Sequence, residues 1–331
     1  MKLILEQLIE KQSLTKLESY ELMMKVMSGE FSESEISALL ICLRIKGETV
    51  DELTGFVQAM REKMNRIELS RDAIDLCGTG GDGLSTFNVS TCASFVVAGA
   101  GIAVAKHGNR SVSSKSGSAD VLEHLGVSIT MPSDLVKKCV EEIGLGFLFA
   151  PNYHPAMKHV MPVRKSLKLR TVFNMLGPLL NPCMVKMQVI GVYDKSLTSL
   201  MANVLKSLGS KRALIVHGKD GMDEFTSCDS SYVTELNEDK ILNYELSPSD
   251  LLIKKSLRED LSGDSPIENA QIILDILNGK QGPKSDIVCI NSAKALEISK
   301  SITYEKAYNL AKDSILSGKA LKILEKLREV S

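Results

Sequence analysis

The chain has no tryptophan, and only 5% of its 331 residues are aromatic. It also lacks an excess of either charge, because 40 lysines and arginines are matched by 41 aspartates and glutamates. This balance gives no reason to expect binding to nucleic acid. Hydrophobic residues make up 44% and charged residues 24% of the chain, which is typical of an ordinary globular protein.

None of the seven cysteines lies near enough to another to form a metal-binding spacing. Their mostly apolar neighbours indicate reduced, buried thiols, as found in the cytoplasm. A signal-peptide core is missing because Glu6 and Glu10 interrupt the first apolar residues. The longest apolar run, residues 95–105, is too short to cross a bilayer. We therefore expect a cytoplasmic protein that does not contact membranes.

The first 66 residues are predicted to be helical. Three S/T-x-x-E capping boxes each indicate a helix start: Thr15 with Glu18, Ser32 with Glu35, and Thr49 with Glu52. Apolar residues recur at helical spacing after each box. These features predict a small N-terminal helical domain.

Near Asp72 the pattern changes to alternating strands and helices, which predicts a large α/β domain around a mostly parallel sheet. Strands are expected at 73–77, 102–105, 147–150, 188–193 and 212–217, and helices at 88–98, 133–143, 155–167, 197–208 and from 267 onward. Residues 171–182, TVFNMLGPLLNP, do not fit this alternation. We predict that 171–185 packs back on the helical domain (1–66), and that 67–331 forms the α/β domain, with a hinge between the two.

A glycine-rich loop, GTGGDG at 78–83, follows the first predicted strand. Its glycines allow positive φ angles, and its amides can form a nest for an anion. The helix that starts at Asn88 directs its N-terminus to the same place, with hydroxyls at Ser90 and Thr91. This combination suits a phosphate or pyrophosphate, although such a loop also occurs as a simple tight turn. Asp82 fits an anion site only if it binds a ribose hydroxyl or orients the loop.

A second loop, KHGNRSVSSKSGSAD at 106–120, combines three cations with several hydroxyls after the second strand. Ligands of open α/β sheets bind at this end of the strands. A third feature, the adjacent carboxylates Asp223 and Glu224, offers hard oxygen ligands for Mg²⁺, or else an exposed acidic turn. A fourth, NYHPAMKHVMPVRKSL at 152–167, contains Arg164, which could grip a carboxylate or form a surface salt bridge.

The order and the amino-acid sequences of these segments resemble those of the anthranilate phosphoribosyltransferases along nearly the whole chain. The KHGNR run and the HPAMKHVMPVR run carry most of the resemblance, together with GTGGDG, GPLLNP and GMDEFT. It implies a helical domain and an α/β domain of the nucleoside phosphorylase/phosphoribosyltransferase type. It further implies an active site at the hinge, Mg²⁺ as cofactor, and a homodimer formed through the helical domain.

The resemblance also assigns residue roles. Phosphoribosyl pyrophosphate would be bound by Gly78, Gly81, Asp82, Thr86, Asn88, Ser90, Thr91, Lys106, Ser114 and Ser118. Mg²⁺ would be held by Ser90, Asp223 and Glu224. Anthranilate would contact Gly78, Asn109 and Arg164, with His107, His154 and Pro178 along its route. No residue is required to act as a strong acid or base.

Two other functions share this architecture. A pyrimidine nucleoside phosphorylase would use free phosphate, but its phosphate loop is expected to have a sequence different from KHGN. A noncatalytic nucleic-acid-binding relative should be basic and should lack Asn109 and Arg164. The charge balance and both residues argue against it.

Overall fold

The computed structural model describes residues 1–111 and 116–331. Within these residues the helices are α1 (Lys2–Ile9), α2 (Lys16–Met27), α3 (Glu33–Lys46), α4 (Val50–Lys63), α5 (Val89–Gly99), α6 (Ser118–His124), α7 (Ser133–Lys138), α8 (Ala150–Tyr153), α9 (Met161–Leu167), α10 (Val172–Leu176), α11 (Ser196–Ser207), α12 (Pro266–Leu277), α13 (Pro283–Lys300), α14 (Tyr304–Leu316) and α15 (Lys319–Glu329). The strands are β1 (Ile74–Gly78), β2 (Val104–Gly108), β3 (Leu145–Phe149), β4 (Met187–Gly191), β5 (Arg212–Gly218), β6 (Ser231–Asn237) and β7 (Lys240–Leu246).

The three predicted capping boxes are all formed, at the starts of α2, α3 and α4. In each box the hydroxyl accepts from the third backbone amide, and the glutamate accepts from the amide of the capping residue. At α3, for example, Glu35 N lies 3.3 Å from Ser32 Oγ, and Ser32 N lies 2.9 Å from the Glu35 carboxylate. These bonds satisfy amides that a helix start leaves open, so the sequence placed these helices correctly.

The seven strands form one sheet in the order β3-β2-β1-β4-β5-β6-β7. The first five of these are parallel, as predicted, so their carboxyl ends meet at one edge of the sheet. The chain runs outward from β1 to β3 and then returns to place β4 on the other side of β1. Ligands bind at such a reversal in open α/β sheets.

The sequence analysis missed the antiparallel hairpin of β6 and β7, which extends the sheet beyond β5. It also missed α6. Two helices predicted as single elements are each divided: α7 continues as a π-helical turn (Cys139–Ile143), and a 3-10 turn (Pro155–His159) precedes α9. Pro162 at the start of α9 fits this second break, because proline is favoured in the first turn of a helix.

Two hydrophobic cores flank the sheet. One is built by α5 and α12 to α15 on one face. The other joins α2, α3 and α4 to α10, α11 and the opposite face of the sheet, so the N-terminal helices do not have a core of their own. The segment 171–182 lies in this second core as α10 and a 3-10 turn (Gly177–Leu179), packed on the N-terminal helices. Across residues 1–111 and 116–331, no helix is long and apolar enough to span a membrane.

Candidate active site

A cavity of about 340 Å³ opens at the carboxyl ends of β1 and β2. It brings together the glycine-rich loop, the start of α5, the loop after β2, part of α9 and the acidic pair. The predicted site residues on its wall are Gly78, Gly81, Asp82, Thr86, Asn88, Ser90, Thr91, Lys106, His107, Asn109, Ser118, Arg164, Pro178, Asp223 and Glu224. Ser114 lies outside the described residues.

The glycine-rich loop turns through positive φ angles at Gly80, Gly81 and Gly83, at 63°, 76° and 78°. Side chains rarely adopt these angles, which explains the glycines. Asp82 accepts from the amide of Leu84 at 3.1 Å, so it orients the loop. Its second carboxylate oxygen, Oδ2, is buried and has no hydrogen-bond partner within the described chain.

At the start of α5, Asn88 does not cap the helix with its own side chain. Its amide group instead donates to the carbonyl of Ser116 at 3.2 Å, which ties the second loop to the helix start. The first-turn amide of Ser90 donates to Glu224 at 3.2 Å. Thr91 Oγ1 is buried at the cavity and has no partner in the part of the chain described. The helix start thus presents polar groups to the cavity, as the sequence predicted.

The two adjacent carboxylates point in different directions, as expected. Asp223 Oδ2 accepts from the amide of Gly80 at 3.0 Å, while Glu224 reaches the start of α5. Burial and the neighbouring Asp82 carboxylate raise the pKa of Asp223 to about 7. Burial and Asp223 raise the pKa of Glu224 to about 8. Both carboxylates of the acidic turn are half-buried, and each lies close to another carboxylate that repels its charge.

Lys106 is 3% exposed and lies on the cavity wall. Its Nζ donates to the carbonyl of Leu76 at 2.6 Å and to Ser90 Oγ at 3.3 Å. Burial lowers the pKa of Lys106, whereas Asp75 and Glu224 act in the opposite direction. A buried cation beside a helix start is suited to an anionic ligand.

Arg164 of α9, also on the cavity wall, forms no ion pair with any described residue, and its guanidinium lies 5.8 Å from the Phe173 ring centre. Burial lowers its pKa. Asn109 and Pro178 lie on the cavity wall with it, and the Pro178 carbonyl accepts from Gln188 Nε2 at 2.8 Å. A half-buried arginine without a carboxylate partner is suited to an anionic ligand with two oxygens.

His107 and His154 form a buried pair with their Nε2 atoms 3.3 Å apart. Burial lowers the pKa of His107 to about 3 and that of His154 to about 4, so both are neutral. A bond at this distance requires one Nε2 to donate and the other to accept. His107 lies on the cavity wall, whereas His154 lies behind it.

The three cations of the second loop do not act together. Arg110 forms ion pairs with Asp120 at 3.0 Å and Glu123 at 2.6 Å, both on α6, which the sequence analysis missed. Lys115 lies outside the described residues. Lys106 and Arg110 both lie on the cavity wall, but the ion pairs with α6 engage Arg110.

Sequence reasoning also missed residues that support the site. Gly191 ends β4 directly below the acidic pair, and a Cβ atom there would lie 1.5 Å from the carbonyl oxygen of Asp223. Arg170 stacks on Tyr193 at 4.3 Å and donates to the carbonyl of Gly81. Asp75 and Asn181 are joined behind the cavity. These contacts join distant parts of the chain. The one signal for them in the sequence was the segment 171–182, which does not fit the strand–helix alternation and contains Asn181.

The donor set is compatible with a divalent cation. Asp82, Asp223 and Glu224 are crowded like charges, and Asp82 Oδ2 is a buried acceptor without a partner. A hard cation would neutralise them. In residues 1–111 and 116–331, however, no three acidic, histidine or cysteine side chains converge as a complete metal site. The protein residues would therefore supply only part of the coordination.

The fold and the cavity define a two-domain transferase of the glycosyltransferase type. A family model described as "Glycosyl transferase family, helical bundle domain" matches residues 2–64, and one described as "Glycosyl transferase family, a/b domain" matches residues 70–321.

Known proteins narrow this class. Anthranilate phosphoribosyltransferase of Caldanaerobacter subterraneus is 50% identical over 96% of this chain and 94% of its own, and that of Acetivibrio thermocellus is 49% identical over 99% and 96%. The Thermus thermophilus enzyme structure matches at a TM-score of 0.93, with 39% identity over 98% of both chains. The Saccharomyces cerevisiae enzyme in complex with PRPP and Mg matches at 0.90, with 28% identity over 98% of this chain and 96% of its own. The chain belongs to the anthranilate phosphoribosyltransferase family.

Proposed function

We propose that this chain transfers the phosphoribosyl group of phosphoribosyl pyrophosphate to the amine of anthranilate. The products are N-(5-phosphoribosyl)anthranilate and pyrophosphate, in the second step of tryptophan synthesis from chorismate. Family membership supports the reaction. The structural observation that carries it is one cavity whose wall includes the glycine-rich loop, Lys106, and an Arg164 that has no carboxylate partner in the described chain.

The phosphoribosyl half would lie along the glycine-rich loop and the start of α5. Loop amides and the hydroxyls there can donate to phosphate oxygens, while Asp82 can accept from a ribose hydroxyl. The residues assigned to this half are Gly78, Gly81, Asp82, Thr86, Asn88, Ser90, Thr91, Lys106 and Ser118, with Ser114 retained from the family resemblance. The buried Thr91 hydroxyl supports this placement, because a ligand oxygen would complete its hydrogen bonding.

Ser90, Asp223 and Glu224 would hold Mg²⁺, partly through water and pyrophosphate. The yeast relative named above is described in complex with PRPP and Mg. Bound Mg²⁺ would supply positive charge next to the leaving pyrophosphate. Since burial raises the pKa values of Asp223 and Glu224, a cation would also favour their ionised forms.

Anthranilate would occupy the part of the cavity next to Arg164. Its carboxylate would meet Arg164, and Gly78, Asn109, His107 and Pro178 would surround the ring, with His154 holding His107 from behind. A second yeast structure, with a TM-score of 0.87 and 26% identity, contains 4-fluoroanthranilate. The neutral state of both histidines suits a hydrogen-bonding role towards an uncharged amine.

These residues favour catalysis by orientation and electrostatics. Breaking the C1–O bond builds positive charge on the ribose and negative charge on pyrophosphate. Loop amides and Lys106 would stabilise the leaving charge, with C1–O cleavage well ahead of C–N formation. Asn109 and Arg164 would hold the aromatic amine close to C1. Closure about the hinge would exclude water from the activated sugar.

The assignment is tested by following anthranilate fluorescence with phosphoribosyl pyrophosphate, with and without Mg²⁺. We expect decay that requires both additions. The double variant Asp223→Asn with Glu224→Gln should lose or shift the Mg²⁺ dependence. The control is a double variant of two exposed carboxylates, Asp313→Asn with Glu329→Gln, which should keep the Mg²⁺ dependence. An unchanged Mg²⁺ profile would remove the acidic pair from the metal site. Absence of decay with folded wild-type protein would overturn the assigned reaction.

Three further proposals concern assembly, domain division and location. A homodimer through the helical domain is supported by exposed apolar side chains on α1, α2 and α3, namely Leu3, Leu17 and Ile45, which are 65–80% exposed. Division into 1–66 with 171–185, and 67–331, is supported by the packing of α10 on the N-terminal helices. A cytoplasmic location is supported by the seven free cysteines.

A further inference from the structure

The sheet separates between β1 and β2 directly behind the cavity. β1 pairs with β4 over five residues, and β2 pairs with β3 over five, but β1 and β2 share one paired position, Ile74 with Val104. Backbone groups beyond that point lack the partners that a continued parallel ladder would give them. Buried backbone groups must find other partners, so side chains are expected in the gap.

Side chains do bridge the gap, and each replaces a ladder bond. Lys106 Nζ donates to the carbonyl of Leu76 in β1 at 2.6 Å. Asp75 Oδ1 accepts from the backbone amide of His107 in β2 at 3.2 Å. Asn181 Nδ2 donates to the carbonyl of Ala105 in β2 at 2.8 Å. The separated strand ends are therefore held by specific groups.

Asp75 and Asn181 also bind each other. Asn181 Nδ2 donates to Asp75 Oδ2 at 2.8 Å, and the amide of Cys183 donates to Asn181 Oδ1 at 2.8 Å. Asp75 is 0% exposed and Asn181 is 2% exposed. Neither side chain is on the cavity wall, so direct contact with substrate does not explain these two buried polar groups.

The pair links two segments that line the cavity. Asp75 fixes the strand that carries Lys106 and His107. Asn181 belongs to the segment whose Pro178 also lies on the cavity wall, and Arg61 of α4 further holds this segment by donating to the carbonyl of Leu179 at 2.7 Å. A displacement at the pair would therefore move these two segments relative to one another.

We infer that Asp75 and Asn181 form a positioning pair that fixes the width of the gap between β1 and β2 and thereby the spacing of Lys106, His107 and Pro178. This inference rests on the proposed binding roles of those three residues. Neither member touches substrate. Their effect on the reaction comes from geometry, for which a displacement of about 1 Å can cost on the order of 100-fold in rate.

The test uses Asp75→Asn, Asn181→Ala and the exchanged double variant Asp75→Asn with Asn181→Asp. In Asp75→Asn, an amide must face the two N–H donors of His107 and Asn181, so one contact becomes donor against donor. In the exchanged variant, residue 75 donates to residue 181 and still accepts from His107, but the carboxylate at 181 faces the carbonyl of Ala105 as acceptor against acceptor, so recovery is expected to be partial only. The matched control is Glu52→Gln. Glu52 is a buried carboxylate that binds the amides of Leu14 at 2.9 Å and Thr49 at 2.8 Å, away from the cavity.

We expect kcat/KM to fall on the order of 10- to 100-fold in Asp75→Asn and Asn181→Ala for both substrates, with partial recovery in the exchanged variant. The amide of His107 should exchange its hydrogen faster in Asp75→Asn. Glu52→Gln should lower the melting temperature and leave both KM values unchanged. If Asp75→Asn fails to fold, Asn181→Ala decides by the same measurements.

Unchanged kinetic constants and unchanged exchange at His107, with a lower melting temperature only, would overturn the inference. Wild-type protein that does not consume anthranilate would instead overturn the proposed reaction. In that case the exchange rate at His107 still decides whether the pair holds β2.

Discussion

At the residue scale, Arg164 combines a cation, partial burial and the absence of a carboxylate partner in the described chain. Sequence alone could not distinguish this arginine from one in a surface salt bridge. The distinction depends on which side chains surround Arg164 in the folded chain, and the contact that the structure shows is with Phe173 of α10.

We expect Arg164→Ala to raise the KM for anthranilate by about 10- to 100-fold, because a bidentate charged contact contributes roughly 1.5–3 kcal/mol. The KM for phosphoribosyl pyrophosphate should change little. Initial rates at varied concentrations of each substrate measure both values. Lys165→Ala is the control, because Lys165 is exposed on the same helix. A main effect on phosphoribosyl pyrophosphate would contradict the placement.

The histidine pair predicts a pH effect on stability. Burial lowers the pKa of His154 to about 4, while an unfolded histidine titrates near 6.5. Between these values the unfolded chain binds more protons, so the stability that neutral His154 contributes is present above pH 6.5 and lost as the pH falls towards 4. The slope is about 1.4 kcal/mol per pH unit for one proton.

Urea unfolding of wild type and His154→Gln from pH 4.5 to 7.5 measures this contribution. Asp75, whose pKa is raised to about 6, acts in the opposite direction in both proteins, so the difference between them isolates the histidine. We expect the wild type to lose its advantage as the pH falls. Parallel stability curves for the two proteins would contradict the buried neutral state.

At the scale of elements, β4 is joined to the acidic pair through Gly191. This glycine does not have a positive φ, and its role is close approach: a Cβ atom would lie 1.5 Å from the carbonyl oxygen of Asp223. The amide of Thr79 also donates to the Gly191 carbonyl at 2.9 Å, which fixes the first turn of the glycine-rich loop. Neither contact has a signal in the sequence beyond a glycine at a strand end.

Gly191→Ala should therefore displace the acidic pair and reduce kcat/KM by at least about 100-fold, because the clash is with backbone that cannot rotate away. Gly279→Ala is the control. Its φ of 91° makes alanine strained, but nothing lies within 4 Å of the added atom, so it should cost about 1 kcal/mol of stability and leave activity unchanged. Full activity in a folded Gly191→Ala protein would show that the pair tolerates movement.

At the scale of the whole molecule, the N-terminal helices share one hydrophobic core with α10, α11 and a face of the sheet. A domain with its own core could unfold separately, whereas a shared core couples the two regions.

We expect one cooperative transition in urea, in which the amides of α4 and β4 lose protection from hydrogen exchange at the same concentration. Hydrogen exchange read by mass spectrometry is suitable because the chain has no tryptophan to serve as a fluorescent probe. Loss of protection in α4 at a lower urea concentration than in β4 would show that the helices are an independent unit.

The sequence by itself determined the local features of this protein. Capping boxes placed α2, α3 and α4, and apolar runs between loops placed the five parallel strands, because these signals arise among residues a few positions apart. Glycine-rich and acidic motifs identified part of the cavity wall for the same reason. The amino-acid sequences of the KHGNR and HPAMKHVMPVR runs then indicated the family.

Only the tertiary structure decided which candidate groups are free to act. Arg110 is engaged by α6, Arg164 is left without an ion-pair partner in the described chain, and His154 lies behind His107 instead of on the cavity wall. Asp75 and Asn181, 106 positions apart, meet across a gap between two strands. Such outcomes depend on burial and on contacts between distant segments, and the free energy of a polar group is set by these surroundings more than by its neighbours in the chain.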